Sequence, residues 1–319
     1  MRVLFAGTPE TALPVLKALI ASPEHEVVGV LTRADSRRGR GRSLHPSPVA
    51  SLARGTGLDV RTPATLRDPD LQAWVRTLQA DVAVVVAYGR IVPSALLDVP
   101  GHGWINLHFS LLPAWRGAAP VQRALMAGDT VTGASVFRLE EGLDTGPVYV
   151  STTEPVGPED TAGDLLARLA EIGVGLVLDV LAGLEAGTLV PEPQDDTAAT
   201  HAPVLTTAEG RVDFQAEAGA VDRHIRGLTP TPGAHTTYLG ARMRLGPVTP
   251  LPEVTDLAPG RIRVSKHEVQ VGTGAGAVRL GRVAPAGRNW MDADAWARGA
   301  RPAADTVLGS PQPQEDPAA

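Results

Sequence analysis

Residues 105 to 117 read Ile-Asn-Leu-His-Phe-Ser-Leu-Leu-Pro-Ala-Trp-Arg-Gly, and two of them carry groups suited to acyl chemistry. Asn106 and His108 stand two apart in an apolar run, so a strand there turns both side chains to one face. A carboxamide donates a hydrogen bond to a developing oxyanion, and an imidazole moves protons near neutral pH. A third group stands in Glu140-Glu141-Gly142-Leu143-Asp144-Thr145-Gly146. Two glycines bracket Asp144 there, which lets the backbone bend sharply and present the carboxylate inward. Because an imidazole works best when a partner fixes its tautomer and stabilises its charged form, Asp144 is the candidate partner of His108.

The elements that must position these groups are visible as alternating patterns. Arg2 to Ala6, His25 to Thr32, Leu58 to Arg61, Asp81 to Tyr88 and Gly103 to His108 are short apolar runs of strand type. Helical spacing separates them at Glu10 to Ile20, Pro48 to Arg54 and Pro69 to Leu78. Continuous Val-rich runs suit a sheet covered on both faces, and the alternation predicts a doubly wound, mostly parallel α/β domain. Asn106 and His108 then fall at a carboxyl strand end, where such sheets bind ligands. A helix is expected from Gly117 to Ala127, strands at Thr132 to Leu139 and Pro147 to Thr153, and a long helix at Thr161 to Glu185. Thr188 to Pro203 is aperiodic and Pro-rich, as a linker would be. Beyond Val212 come short β-prone pieces, Arg242 to Leu245, Gly260 to Val264, Glu268 to Gly272 and Ala277 to Leu280, which predict a small barrel. The expected divisions are 1–187, a linker over 188–208, the barrel over 209–301 and a disordered tail over 302–319.

Composition narrows the chemistry. With 319 residues and 43% hydrophobic content, two domains are expected, and the absence of cysteine removes thiolate nucleophiles and Cys-ligated zinc. No H-E-x-x-H or Asp-rich loop is present and His102 and His108 are badly spaced for a helical pair, so no metal site is expected. Gly7-Thr8-Pro9-Glu10 follows the first strand but lacks the G-x-G-x-x-G spacing. That argues against a nicotinamide or flavin oxidoreductase and for a plain strand-to-helix turn, with Thr8 as N-cap before Pro9. The first apolar run is too short for a signal peptide and no later one spans a bilayer, so the cytoplasm is the expected address and no membrane partner is expected.

The net charge of −6 leaves room for a local basic patch. Arg33, Arg37, Arg38, Arg40 and Arg42 face one acid, Asp35, a local charge of +4 in a loop that contains Gly39 and Gly41. A solvated charged loop and an electrostatic hook for phosphates both fit that pattern.

Several segments together resemble one family. Asn106, His108, Ser110-Leu111-Leu112-Pro113 and Leu143-Asp144-Thr145-Gly146 match the folate-dependent formyltransferases. Arg116-Gly117-Ala118-Ala119-Pro120, the basic insertion with Gly39-Arg40-Gly41 before Pro46-Ser47-Pro48, and the second domain resemble the members that act on methionyl-tRNA. Gly7-Thr8-Pro9, Ala87-Tyr88-Gly89 and Pro285-Ala286-Gly287 match as well, so the likeness spans nearly the whole chain. It implies a Rossmann-like catalytic domain followed by an OB-like barrel. The implied formyl donor is 10-formyltetrahydrofolate, and the implied acceptor is the α-amino group of methionine on initiator methionyl-tRNA.

By position, the resemblance makes Asn106, His108 and Asp144 catalytic. Asn106 and a protonated His108 would stabilise the oxyanion while Asp144 supports the charged ring. Ser110, Leu111, Leu112, Pro113, Tyr88 and Gly89 would lie on the folate side, and Arg37, Arg38, Arg40 and Arg42 would meet tRNA. A monomer is the expected state. Three rivals remain at this stage: a formyltransferase acting on an amino-sugar nucleotide, a 10-formyltetrahydrofolate hydrolase, and a noncatalytic RNA-binding module.

Overall fold

A computed structural model describes residues 1–38 and 43–309; Arg40 and Arg42 lie outside them. The chain divides into two compact units. The first comprises Met1–Pro120, Val131–Pro155 and Leu166–Pro203, and the second Val121–Thr130, Val156–Leu165 and the chain from Val204. Residues 188–203, expected as a linker, therefore belong to the first unit.

The elements run β1 (Arg2–Gly7), α1 (Leu13–Ala21), β2 (Glu26–Leu31), β3 (Ser36–Arg38), β4 (Ser43–His45), α2 (Pro48–Gly55), β5 (Val60–Arg61), α3 (Pro69–Thr77), β6 (Val82–Val86), α4 (Ser94–Leu97), β7 (Trp104–His108), α5 (Pro120–Ala127), β8 (Val131–Arg138), β9 (Val148–Pro155) and α6 (Ala162–Glu185). Seven strands form one sheet in the order β5-β2-β1-β6-β7-β8-β9. It is parallel through β7 and antiparallel at β8 and β9. The doubly wound expectation holds. Every residue of β6 is buried, and so is all of β1 after Arg2, which is why these strands read as unbroken apolar runs.

Local chemistry starts the helices where the sequence places them. The Ser47 hydroxyl accepts from the Ala50 amide at 3.0 Å, with Pro48 opening α2. Asp68 caps α3 in the same way, accepting from Asp70 at 2.9 Å. Thr8 departs from expectation. It caps nothing; its hydroxyl donates to the Tyr88 carbonyl at 3.0 Å and ties the β1 turn to the loop after β6. These are the strands between which the sheet order reverses, the place where open α/β sheets leave a crevice.

Two further differences have physical reasons. The helix expected from Gly117 starts at Pro120, because Gly117 lies at φ 125° and the Arg116 and Ala119 backbones are hydrogen-bonded to Thr200 and Ala202. The basic loop contains the antiparallel pair β3–β4, whose short strands are hidden in the sequence by charge on consecutive positions.

The second unit adds α7 (Ala218–Leu228), β10 (His235–Tyr238), β11 (Ala241–Leu245), β12 (Val248–Leu251), β13 (Ile262–Val264), β14 (Val269–Gly272), β15 (Ala277–Leu280), β16 (Arg282–Pro285), β17 (Met291–Asp292) and α8 (Ala293–Ala300). Its strands form two four-stranded antiparallel sheets, β10-β11-β16-β17 and β12-β15-β14-β13. Val221, Ile225, Met243, Val271, Val278 and Trp296 are among the residues of its core. Helices α7 and α8 and strands β10, β12, β16 and β17 go beyond the sequence reading; the strands are only two to four residues long, which gives little periodicity.

The tail expected from residue 302 is anchored as far as Gly309. Leu308 is 2% exposed within the same core, and its amide donates to the Gly260 carbonyl at 2.8 Å. Among the described residues no helix is long and apolar enough to cross a membrane.

Candidate functional site

Strand β7 lies between β6 and β8 and is positioned from both sides. Its Leu107 side chain occupies the space where a Cβ on Gly173 of α6 would stand, so the helix approaches the sheet closely there. Alternation then turns Asn106 and His108 to the opposite face, as their spacing predicts. His108 is 6% exposed, and its ring meets Phe137 edge-on at 6.2 Å between centroids. Asn106 is half-buried, and its side-chain amide makes no hydrogen bond among the described residues.

The third group reaches His108 by a route the sequence does not display. The Leu139 amide donates to the Trp104 carbonyl, so the loop after β8 leaves the sheet beside the far end of β7. It then brings the Asp144 Oδ2 to 3.8 Å from His108 Nδ1. Asp144 holds a left-handed backbone, φ 54°, and its Oδ2 accepts from the Gly117 amide at 2.8 Å. Gly146 must be glycine, because a Cβ there would collide with the Arg138 carbonyl oxygen.

On the other side of the ring, His108 Nε2 donates to the Trp115 carbonyl at 2.9 Å. A carbonyl only accepts, so the neutral ring carries its proton on Nε2 and turns a bare Nδ1 toward the Asp144 carboxylate. Burial pushes the His108 pKa below the usual histidine value, against the opposing pulls of Asp144 and the Trp115 carbonyl. The sequence reading took His108 as protonated. Its buried setting favours the neutral ring, with Nδ1 as the proton-accepting atom.

The residues expected on the folate side have mixed positions. Gly89 is exposed at φ 74°. Tyr88 is 1% exposed among Leu4, Val85 and Trp104, and burial pushes its phenol pKa up to about 12. Ser110 is fully buried and its hydroxyl donates to the Ala114 carbonyl at 2.6 Å. Leu111 packs over Gly133 of β8. Leu112 and Pro113 are half-buried, with the Leu112 amide donating to the Ser135 hydroxyl at 3.2 Å. The hydroxyls of Tyr88 and Ser110 are thus turned into the protein. Arg37 is exposed, and Arg38 ends β3.

Sequence reasoning missed the residues that hold this site together. Ser135 on β8 donates to the Ser110 carbonyl at 2.7 Å while accepting from Leu112, which fixes the turn after His108. Thr200 Oγ1 accepts from the Trp115 amide at 2.8 Å, and Gln194 contacts the Asp144 loop. No periodic signal marks them; both lie in the aperiodic Pro-rich stretch. No group of three or more His, Asp or Glu suited to a metal occurs among the described residues.

An amide with no hydrogen bond among the described residues, a buried imidazole and a carboxylate beside it thus lie together on a doubly wound sheet, a set of groups suited to acyl transfer. Residues 1–181 match the model of the Formyl transferase family, and residues 204–301 that of the Formyl transferase C-terminal domain. The methionyl-tRNA formyltransferase of Streptomyces coelicolor is 54% identical over 301 residues, covering 94% of this chain and 97% of that protein. That of Paenarthrobacter aurescens is 56% identical over 299 residues, with 94% and 97% covered. Among solved structures, an N-formyltransferase from Helicobacter canadensis with folinic acid and dTDP-3-aminofucose shares the fold at a TM-score of 0.68. It is 15% identical, with 88% of this chain and 98% of that one covered. HypX from Aquifex aeolicus in complex with tetrahydrofolic acid shares it at a TM-score of 0.63 and 18% identity, over 93% and 47% of the two chains. The chain belongs to the formyl transferase family, and within it to the methionyl-tRNA formyltransferases.

Proposed function

We propose that the protein transfers the formyl group of 10-formyltetrahydrofolate to the α-amino group of methionine carried on initiator tRNA, through Asn106, His108 and Asp144. The observation that carries this reading is the half-buried, unpartnered Asn106 amide on the same strand face as a His108 ring within 3.8 Å of Asp144. That donor set fits a formyl group, which needs one hydrogen-bond donor at its oxygen and one proton carrier beside its carbon. The relatives' names supply the acceptor.

When bound, 10-formyltetrahydrofolate supplies an activated formyl carbon on N10. Asn106 donates to the formyl oxygen as negative charge develops there. His108 Nδ1 takes the proton that the attacking amine loses, and Asp144 stabilises the resulting imidazolium. His108 then gives that proton to the departing nitrogen, which leaves the ring neutral for the next turnover. The loop after β6 at Tyr88 and Gly89, with Leu111, Leu112 and Pro113, forms the folate side.

Arg37, Arg38, Arg40 and Arg42 of the basic segment supply phosphate contacts, and the second unit holds the tRNA body. The reading includes a cytoplasmic monomer.

The test is formyl transfer by the full chain from 10-formyltetrahydrofolate to methionyl initiator tRNA, beside methionyl elongator tRNA, a nucleotide-linked amino sugar and a reaction without acceptor. Formyl-methionine on initiator tRNA is expected. Formate release at the same rate without tRNA, or transfer to the sugar alone, would overturn the reading.

A further inference from the structure

The segment that follows α6 is hydrogen-bonded both to the loop that carries Asp144 and to the turn that contacts His108. Gln194 makes two hydrogen bonds through its amide oxygen and two through its amide nitrogen. Its Oε1 accepts from Arg116 Nε at 3.0 Å and from Arg116 Nη2 at 2.9 Å. Its Nε2 donates to the Asp144 carbonyl at 2.8 Å and to the Gly146 carbonyl at 2.7 Å. The orientation has no alternative, since a guanidinium only donates and a backbone carbonyl only accepts.

Arg116 is 5% exposed and is itself fixed, with Nη2 also 2.7 Å from Asp196 Oδ1. Its backbone is stitched to the same segment: the Arg116 amide donates to the Thr200 carbonyl at 2.8 Å, and the Ala202 amide donates to the Arg116 carbonyl at 2.7 Å. One residue earlier, the Trp115 amide reaches Thr200 Oγ1 while the Trp115 carbonyl receives His108 Nε2. Residues 194–202 therefore brace the loop that carries Asp144 and the turn that orients His108.

We propose that Gln194 is a positioning residue for the proton-transfer pair: by holding the Asp144 and Gly146 carbonyls against Arg116, it sets how closely the Asp144 carboxylate approaches His108. This rests on the assignment of His108 and Asp144 to catalysis. The need for such a brace follows from the loop itself. Asp144 sits in the left-handed region, which is unfavourable for a non-glycine residue, so the conformation persists only when neighbours hold it. Gln194 touches no reacting group. Its effect passes through the distance between two others.

Two substitutions separate the parts of the brace. Gln194→Met keeps the length of the side chain and removes all four hydrogen bonds. Gln194→Glu keeps an acceptor for Arg116 but loses the donors to the two carbonyls. Both are expected to lower kcat about 10-fold to 100-fold, the scale of an ångström-sized displacement at a reacting pair, with KM for 10-formyltetrahydrofolate changed less than about twofold. The imidazole resonances of His108, followed by NMR across pH, should titrate lower than in the unsubstituted protein as Asp144 drifts away. Folded variants with unchanged kcat and unchanged His108 titration would overturn the proposal. Asp144→Asn and His108→Ala run in parallel. If they retain activity, the catalytic assignment fails; if they are inactive while both Gln194 variants are normal, only the positioning role fails.

Discussion

Replacing Asp144 with asparagine isolates the electrostatic contribution of the carboxylate. The substitution removes one charge and keeps an oxygen able to accept from the Gly117 amide, and the Gln194 contact is to the Asp144 backbone carbonyl, which is untouched. Two unit charges 3.8 Å apart interact by about 4 kcal/mol at an effective dielectric constant of about 20, the value suited to protein sites. That energy is present only once His108 is protonated, so it lowers the barrier rather than the ground state. Each 1.36 kcal/mol is a factor of ten in rate, which makes the expected loss in kcat about 10³-fold. Initial rates of formyl transfer to methionyl initiator tRNA, with each substrate varied in turn, would measure it. KM for 10-formyltetrahydrofolate should stay within about threefold, and the far-ultraviolet circular dichroism should be unchanged. A folded Asp144→Asn protein with kcat within threefold of the original would refute the reasoning. The carboxylate would then be a turn residue and nothing more.

Asn106→Ala removes this amide donor and should reduce kcat about 10²-fold to 10³-fold in the same assay; thermal denaturation should show little change, since that amide makes no hydrogen bond among the described residues. His108 must be neutral to accept a proton, and burial places its pKa below the ordinary histidine value of about 6.5. The rate should therefore be level from pH 8 to the usual histidine range and fall only at more acid pH, where the ring becomes charged in the resting enzyme; a fall centred above pH 7 would contradict this. Leu308→Ala should destabilise the second unit by about 2–5 kcal/mol, read as a lowered denaturant midpoint, because the side chain is 2% exposed within that core.

Much of the first unit is legible because its strands are buried on both faces. Val82-Ala-Val-Val-Val86 can be little else than a central strand, and Pro48 and Pro69 follow caps that mark their helices locally. The second unit is harder. Strands such as His235–Tyr238 and Arg282–Pro285 are four residues long and fully bury only one and two residues respectively, so local pattern and tertiary pairing carry comparable weight. Helix α7 is amphipathic, yet it buries the charged pair Asp222 and Arg226, 2.8 Å apart, which disguises its inner face.

The sequence by itself determined the chemistry on offer. Alternation along Trp104–His108 puts the amide and the imidazole on one face whatever surrounds them, and the glycines around Asp144 mark a loop able to turn a carboxylate inward. Only the tertiary structure decided how these groups are arranged. It brings Asp144 across the sheet to 3.8 Å from His108 Nδ1, puts the Trp115 carbonyl on Nε2 and so selects the tautomer, and buries the ring deeply enough to keep it neutral. It also turns an aperiodic stretch, 194–202, into the brace of the site. The reason is one of range: strand alternation is set by neighbours along the chain, whereas tautomer, burial and bracing depend on contacts between residues as far apart in sequence as Trp115 and Thr200.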